Sequence, residues 1–207
     1  MRNSPRCYRA HKVVLAAFIL SIASATLSGC TAALEPAPSE SAVAGADATA
    51  APTKTPPVFA SNDEALAAAR AAYAAYTLGS NEFAASPQAG NGFDTFSGLV
   101  SKRYLPEVTA SVDSFAESGH VGRGAISFDT VSLMSFSEPS PGHVEVSLYL
   151  CADVSGLRIV DKAGADVTPA NRSERTPTQV ALISSDTDAS KLLVDKEDTW
   201  TGQNFCG

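Results

Sequence analysis

Near Gly119 the spacing of apolar residues changes from a helical period to a period of two, and this switch constrains the fold more than any other feature. Upstream, "SNDEALAAARAAYAAYTLGS" opens with Ser61 and Glu64 at capping-box spacing, where each side chain satisfies a backbone amide at a helix start. Leu66, Ala69, Tyr73 and Tyr76 then recur on one helical face, and Gly79 is placed to end the helix. "NEFAASPQAGNG" reads as a loop and "FDTFSGLV" as a short helical piece. In "YLPEVTASVDSFAESG", Pro106 suits a first helical turn and Gly119 a stop, and Leu105, Val108, Val112 and Phe115 form one apolar stripe. Downstream, "AISFDTVSLMSF" alternates, with a slip in parity at Asp129-Thr130 that predicts a bulge or bend. "VEVSLYLC" places Val144, Val146, Leu148 and Leu150 on one face, and "RTPTQVALIS" and "KLLVDKEDTW" read as two more strands joined by "SDTDAS". Helices followed by a run of antiparallel strands predict an α+β domain over residues 58–207, its helices covering one face of the sheet.

The N-terminal part is of another kind. "MRNSPRCYRAHK" carries Arg2, Arg6, Arg9 and Lys12 and no acid, and the apolar run Val13–Leu27 follows. That run is shorter than the roughly 20 residues a spanning helix needs, and small residues follow it, which is the layout of a secretory signal peptide. "LSGC", Leu27 to Cys30, resembles the lipobox of bacterial lipoproteins: an aliphatic residue, two small residues, then a cysteine. The resemblance implies a signal peptide over 1–29, lipidation at Cys30 and a membrane partner through that lipid anchor. The expected location is the extracytoplasmic face of the cell membrane. An ordinary signal peptide with an incidental cysteine is the alternative. From Cys30 to residue 57 the chain is rich in Ala, Pro, Ser and Thr and has no aromatic residue. Such a segment buries too little to offset its ordering entropy, and it reads as a tether spanning on the order of 30 Å. The chain carries a formal charge of −7, so without the four basic residues of its first twelve it carries −11. That balance disfavours nucleic acid as a partner.

The order of elements, together with "LYLCADVSG", "VDKAGADVTPANRSERTP" and the end "DTWTGQNFC", resembles the nuclear transport factor 2-like superfamily. It is most similar to the exported lipoproteins of high-GC Gram-positive bacteria that carry this fold. The resemblance implies N-terminal helices packed on a strongly bent antiparallel sheet, a cone. It also implies one of two occupations. Lipoprotein domains of this fold often serve as non-enzymatic binding or assembly parts, with a protein, a cell-wall component or a small ligand as partner. Relatives related to ketosteroid isomerase or to polyketide cyclases instead use an open cone as a pocket for a small apolar molecule.

The cysteines follow the same division. Cys7 falls in the signal peptide and Cys30 at the lipidation site, which leaves Cys151 and Cys206. In an exported chain two remaining cysteines most simply form a disulfide, the alternative being two free thiols. A metal centre is not expected, since His120 and His143 are not at ligand spacing from a cysteine. "DKAGAD", Asp161 to Asp166, lacks the ligand alternation of a calcium loop and reads as a polar hairpin tip.

No nucleophile elbow, zinc-binding helix, phosphate loop or dinucleotide-binding glycine pattern occurs, and no cofactor is expected. An isomerase-like site would need a carboxylate tuned by burial and a hydrogen-bond donor for an enolate. Tyr73 or Tyr76 supplies such a donor from the first helix. Lys196, Asp198 and Trp200 share parity with Leu192 and Val194, which turns Asp198 inward and makes it, with Trp200, a candidate for the pocket. In the alternative, the tyrosines are core and Lys196 and Asp198 face solvent.

Overall fold

In a computed structural model of the chain, which describes residues 55–88 and 92–207, the change of period falls where helices give way to strands. The expected signal peptide (1–29), Cys7, Cys30 and the tether as far as residue 54 lie outside the described residues. Helix α1 spans Asn62–Ala85, α2 Gly92–Ser97 and α3 Leu105–Ser118. Six strands follow: β1 Val121–Arg123, β2 Ser127–Ser140, β3 His143–Asp153, β4 Arg158–Val160, β5 Arg175–Ser184 and β6 Leu192–Thr199. The fold is α+β.

The start of α1 is the capping box its sequence predicts. Ser61 Oγ accepts from the Glu64 amide at 3.2 Å, and Glu64 Oε2 accepts from the Ala60 amide at 2.7 Å. Its end differs from the expectation. The helix does not stop at Gly79 but continues for six residues to Ala85, so "NEFAA" is helical and not loop. Two contacts explain this. A Cβ at Gly79 would lie 3.0 Å from the Phe96 ring, so the glycine admits α2 against α1 and does not end the helix. Beyond it, Asn81 donates from Nδ2 to the Ile126 carbonyl at 2.9 Å and accepts at Oδ1 from the Ile126 amide at 2.8 Å, which fixes the last turns to the start of β2. Helix α3 has Pro106 in its first turn and ends at Gly119 in the left-handed region (φ 69°), as its sequence predicts.

Strands β2, β3, β5 and β6 form an antiparallel sheet in the order β2-β3-β5-β6, and β1 pairs separately with β4. Among the described residues this sheet is open and not a closed barrel. Val144, Val146, Leu148 and Leu150 of β3 are all fully buried, with Val180 and Leu182 of β5 and Leu192 and Val194 of β6 beside them. Ala65, Ala69, Tyr73 and Tyr76 of α1, with Phe96 of α2 and Val108 of α3, complete the core on the helical side. One large aliphatic side chain buried this way contributes about 1.5–3 kcal/mol, so this face dominates the stability.

β2 is irregular. Its register on β3 shifts between Asp129 and Ser132, where Thr130 takes a positive φ of 51°, and again between Leu133 and Ser135. The first shift is the predicted parity slip. The second keeps Phe136 on the inner face after Leu133, and each bulge bends the strand. At the other edge, the segment before α3 partly covers β6. Ser101 donates its amide to the Val194 carbonyl at 2.8 Å, and Val194 donates to the Leu99 carbonyl at 3.0 Å. Covering part of an exposed strand edge in this way limits pairing with other chains.

Candidate functional site

The inner face of β6 is set by one inserted residue. Val194 pairs with Leu182 and Lys196 with Ala181, so Asp195 has no partner on β5 and the register shifts there. Side chains alternate along a strand, so an extra residue reverses the parity of everything beyond it. Glu197, in register with Val180 and Leu148, therefore turns toward the helices. Lys196 and Asp198 turn outward and pair with each other at 2.6 Å, with Asp198 51% exposed at its side chain. Of the two readings of Asp198, the one in which it faces solvent with Lys196 is what the structure shows, and Glu197 turns inward in its place, because the parity counted from Leu192 does not survive the bulge.

Trp200 is also on the outer side. Its ring meets Tyr149 edge-on at 5.0 Å, and Tyr149 lies between the inward-facing Leu148 and Leu150. Phe205 packs on the same tyrosine at 5.9 Å, so the C-terminal segment lies against the outer sheet face. The disulfide Cys151–Cys206 holds it there. Arg175 adds a hydrogen bond from Nε to the Cys206 carbonyl at 3.1 Å and ion pairs to Asp129 (2.8 Å) and Asp153 (2.9 Å). Hydrogen bonding to Arg175 lowers the Asp129 pKa, while hydrogen bonds from Ser155 and then from Arg175 lower that of Asp153.

Tyr73 and Tyr76 are core residues with a polar end. The Tyr73 hydroxyl donates to Glu197 Oε1 at 2.6 Å, and its ring packs edge-on against Phe128 at 4.9 Å. Tyr76 interacts with both Glu197 and Tyr104, so three phenols gather around one carboxylate. Burial raises the Glu197 pKa, an effect that hydrogen bonds from Tyr73 and Tyr76 oppose. Burial and then the negative charge of Glu197 raise all three phenols, Tyr104 to about 12. All three are therefore neutral hydrogen-bond donors at physiological pH.

A cavity of about 320 Å³ opens beside this cluster, between α1, α3 and the β1–β4 pair. The buried Tyr76, Phe96 and Tyr104 lie at its inner end, and the exposed Glu107 lies at its rim. Its walls are mainly apolar: Phe83 from α1, Val108, Val112 and Phe115 from α3, Ile126 ahead of β2, and Leu157 and Ile159. Neither Tyr73 nor Glu197 lines it. The pocket thus includes one residue expected there, Tyr76, and excludes Tyr73, Asp198 and Trp200. Val108, Val112 and Phe115 belong to the apolar stripe that the sequence of α3 shows. No local pattern marked Tyr104 or Glu197.

A fully buried carboxylate also escapes every local pattern. Asp195, 1% exposed at its side chain, accepts from Ser101 Oγ at 2.6 Å and from Arg103 through both Nε and Nη2. Ser101 Oγ in turn accepts from the Tyr104 amide at 3.1 Å, which places Tyr104 at the cavity end. Of the two histidines, His143 begins β3 with its side chain half exposed and 3.7 Å from Glu145, and His120 follows α3 with its ring 6.5 Å from Phe115. "DKAGAD" forms a hairpin tip, with Asp161 Oδ1 accepting from the Ala163 and Ala165 amides. Among the described residues no group of three or more His, Cys, Asp or Glu could hold a metal ion. Among the same residues no helix is long and apolar enough to cross a membrane.

No known family model matches this chain, and no curated protein does. Solved structures are similar to it in part. The intermembrane space region of the chloroplast protein ARC6 aligns with a TM-score of 0.47 at 13% identity, over 65% of this chain and 95% of that one. A periplasmic fragment of TraM aligns with a TM-score of 0.45 at 11% identity, over 68% of this chain and 98% of that one. Each is a partial likeness in the course of the backbone.

Proposed function

We propose that the protein is a lipid-anchored, extracytoplasmic binding module that holds a small apolar molecule in the cavity between α1 and α3, on a nuclear transport factor 2-like cone. One observation carries this reading: an apolar space of about 320 Å³ whose inner end is closed by the phenol rings of Tyr76 and Tyr104. Ligand sites are concave, mainly apolar, and fitted with a few polar groups that fix orientation. The Cys151–Cys206 bridge supports an oxidising compartment, and "LSGC" ahead of the tether supports an anchor at Cys30. An order of helices first and antiparallel strands after supports the cone. The isomerase- or cyclase-like alternative is weaker, because the partly buried carboxylate, Glu197, is engaged by Tyr73 and does not line the cavity.

Titration of the purified domain with the neutral dye Nile red tests the site. Saturable fluorescence enhancement is expected, and Ser111→Trp, which fills the cavity mouth from an exposed position of α3, abolishes it while thermal melting is retained. No saturable binding, or binding unchanged by Ser111→Trp, would overturn the reading. Mass spectrometry of the membrane fraction tests the anchor: the expected N-terminus is an acylated Cys30, and an unacylated one refutes it.

A further inference from the structure

The lining of the cavity has a sign as well as a shape. Among the described residues that line it, Glu107 is the one that carries a formal charge. Five aromatic rings share the lining: Tyr76, Phe83, Phe96, Tyr104 and Phe115. Tyr76 and Phe96 stand 5.1 Å apart between centroids and form one continuous wall. Tyr104 lies one helical turn from Glu107 and feels its charge. Arg103 and Lys196, the chain neighbours of Tyr104 and Glu197, are paired with Asp195 and Asp198, and Arg123 and Arg158, on the β1–β4 pair, do not line the cavity. Aromatic faces carry negative charge density and attract cations, most strongly where water is excluded. A carboxylate at the rim of such a space rejects an anionic head group and draws a positive one.

We propose that this cavity selects a small organic cation with an apolar body, of the aryl or alkyl quaternary ammonium class, over neutral or anionic molecules of the same shape. The inference rests on the reading of the cavity as a ligand site. Its occupant places the cationic part beside Glu107 and the ring of Tyr104, one helical turn apart, and the apolar part among Val108, Val112 and Ile126.

Displacement of Nile red by three probes of similar shape tests it: benzyltrimethylammonium, its neutral isostere neopentylbenzene, and the anion phenylmethanesulfonate. The cation is expected to displace the dye at about tenfold lower concentration than the neutral probe, with the anion weakest. Glu107→Gln lowers the ratio of cation to neutral affinity about threefold, and added salt lowers it in the native protein. Equal or better displacement by the neutral probe, or a ratio unmoved by Glu107→Gln, overturns the cation preference while leaving the apolar site standing. Absence of Nile red binding overturns the site itself and this inference with it.

Discussion

The hydroxyl of Tyr73 on the first helix donates a 2.6 Å hydrogen bond to Glu197 on the last strand, joining residues 124 positions apart. It ties the helical layer to the inner face of β6 at the one place where that face carries a carboxylate beyond the bulge.

Glu197 gives the fold a pH dependence that can be measured. Burial raises its pKa above the ordinary 4.5, so the folded state holds its proton more tightly than the unfolded chain. The stabilisation is therefore complete below 4.5 and is lost as pH rises through the folded-state value. Chemical denaturation at pH values rising above 4.5 should show stability declining, and Glu197→Gln should flatten that decline. Since the Tyr73 hydrogen bond opposes the rise, Tyr73→Phe should move the decline to higher pH and cost about 1–3 kcal/mol. An unchanged pH profile in Glu197→Gln would refute the assignment.

Asp195 latches the segment before α3 to β6. Asp195→Ala removes the acceptor for the Ser101 hydroxyl and for Arg103, and a loss of about 1–3 kcal/mol is expected by urea denaturation. Arg103→Ala should cost less, because that side chain is 77% exposed. Since Ser101 also holds the Tyr104 amide, Asp195→Ala should weaken Nile red binding as well, which titration can read.

The disulfide closes a loop of 55 residues, a constraint worth about 4 kcal/mol in the chain-entropy model. Cys151→Ser with Cys206→Ser should lower stability by up to that amount. It should also release the C-terminal segment from Tyr149, read as increased solvent quenching of Trp200 fluorescence. Labelling of both thiols by a reagent in denatured, non-reduced protein would contradict the bridge.

Thr130 holds a left-handed backbone that a β-branched residue adopts only at a cost of about 1–2 kcal/mol. Thr130→Asn should therefore raise the melting temperature, with a gain of about 1 kcal/mol. A lower melting temperature would show that the Thr130–Asp129 side-chain hydrogen bond outweighs the backbone strain.

Much of the architecture was legible in the sequence because it depends on neighbours in the chain. The capping box at Ser61, the stop at Gly119, the alternation in β3 and the slip at Asp129-Thr130 are local patterns with local causes. The end of α1 was misread because Gly79 answers to Phe96 across a helix contact, not to a turn. The small β1–β4 pair carries too few residues for any period to show.

The layered α+β plan and the buried face of β3 follow from periodicity and from turn residues acting within a few positions. That Glu197 and not Asp198 meets the tyrosines depends instead on how the strands pair in the folded sheet. A strand's parity is kept or reversed by its pairing partner, and here β5 leaves Asp195 unpaired. The cavity was decided at the same level, because its walls come from α1, α3 and the β1–β4 pair, which share no local pattern and meet only when the chain has folded.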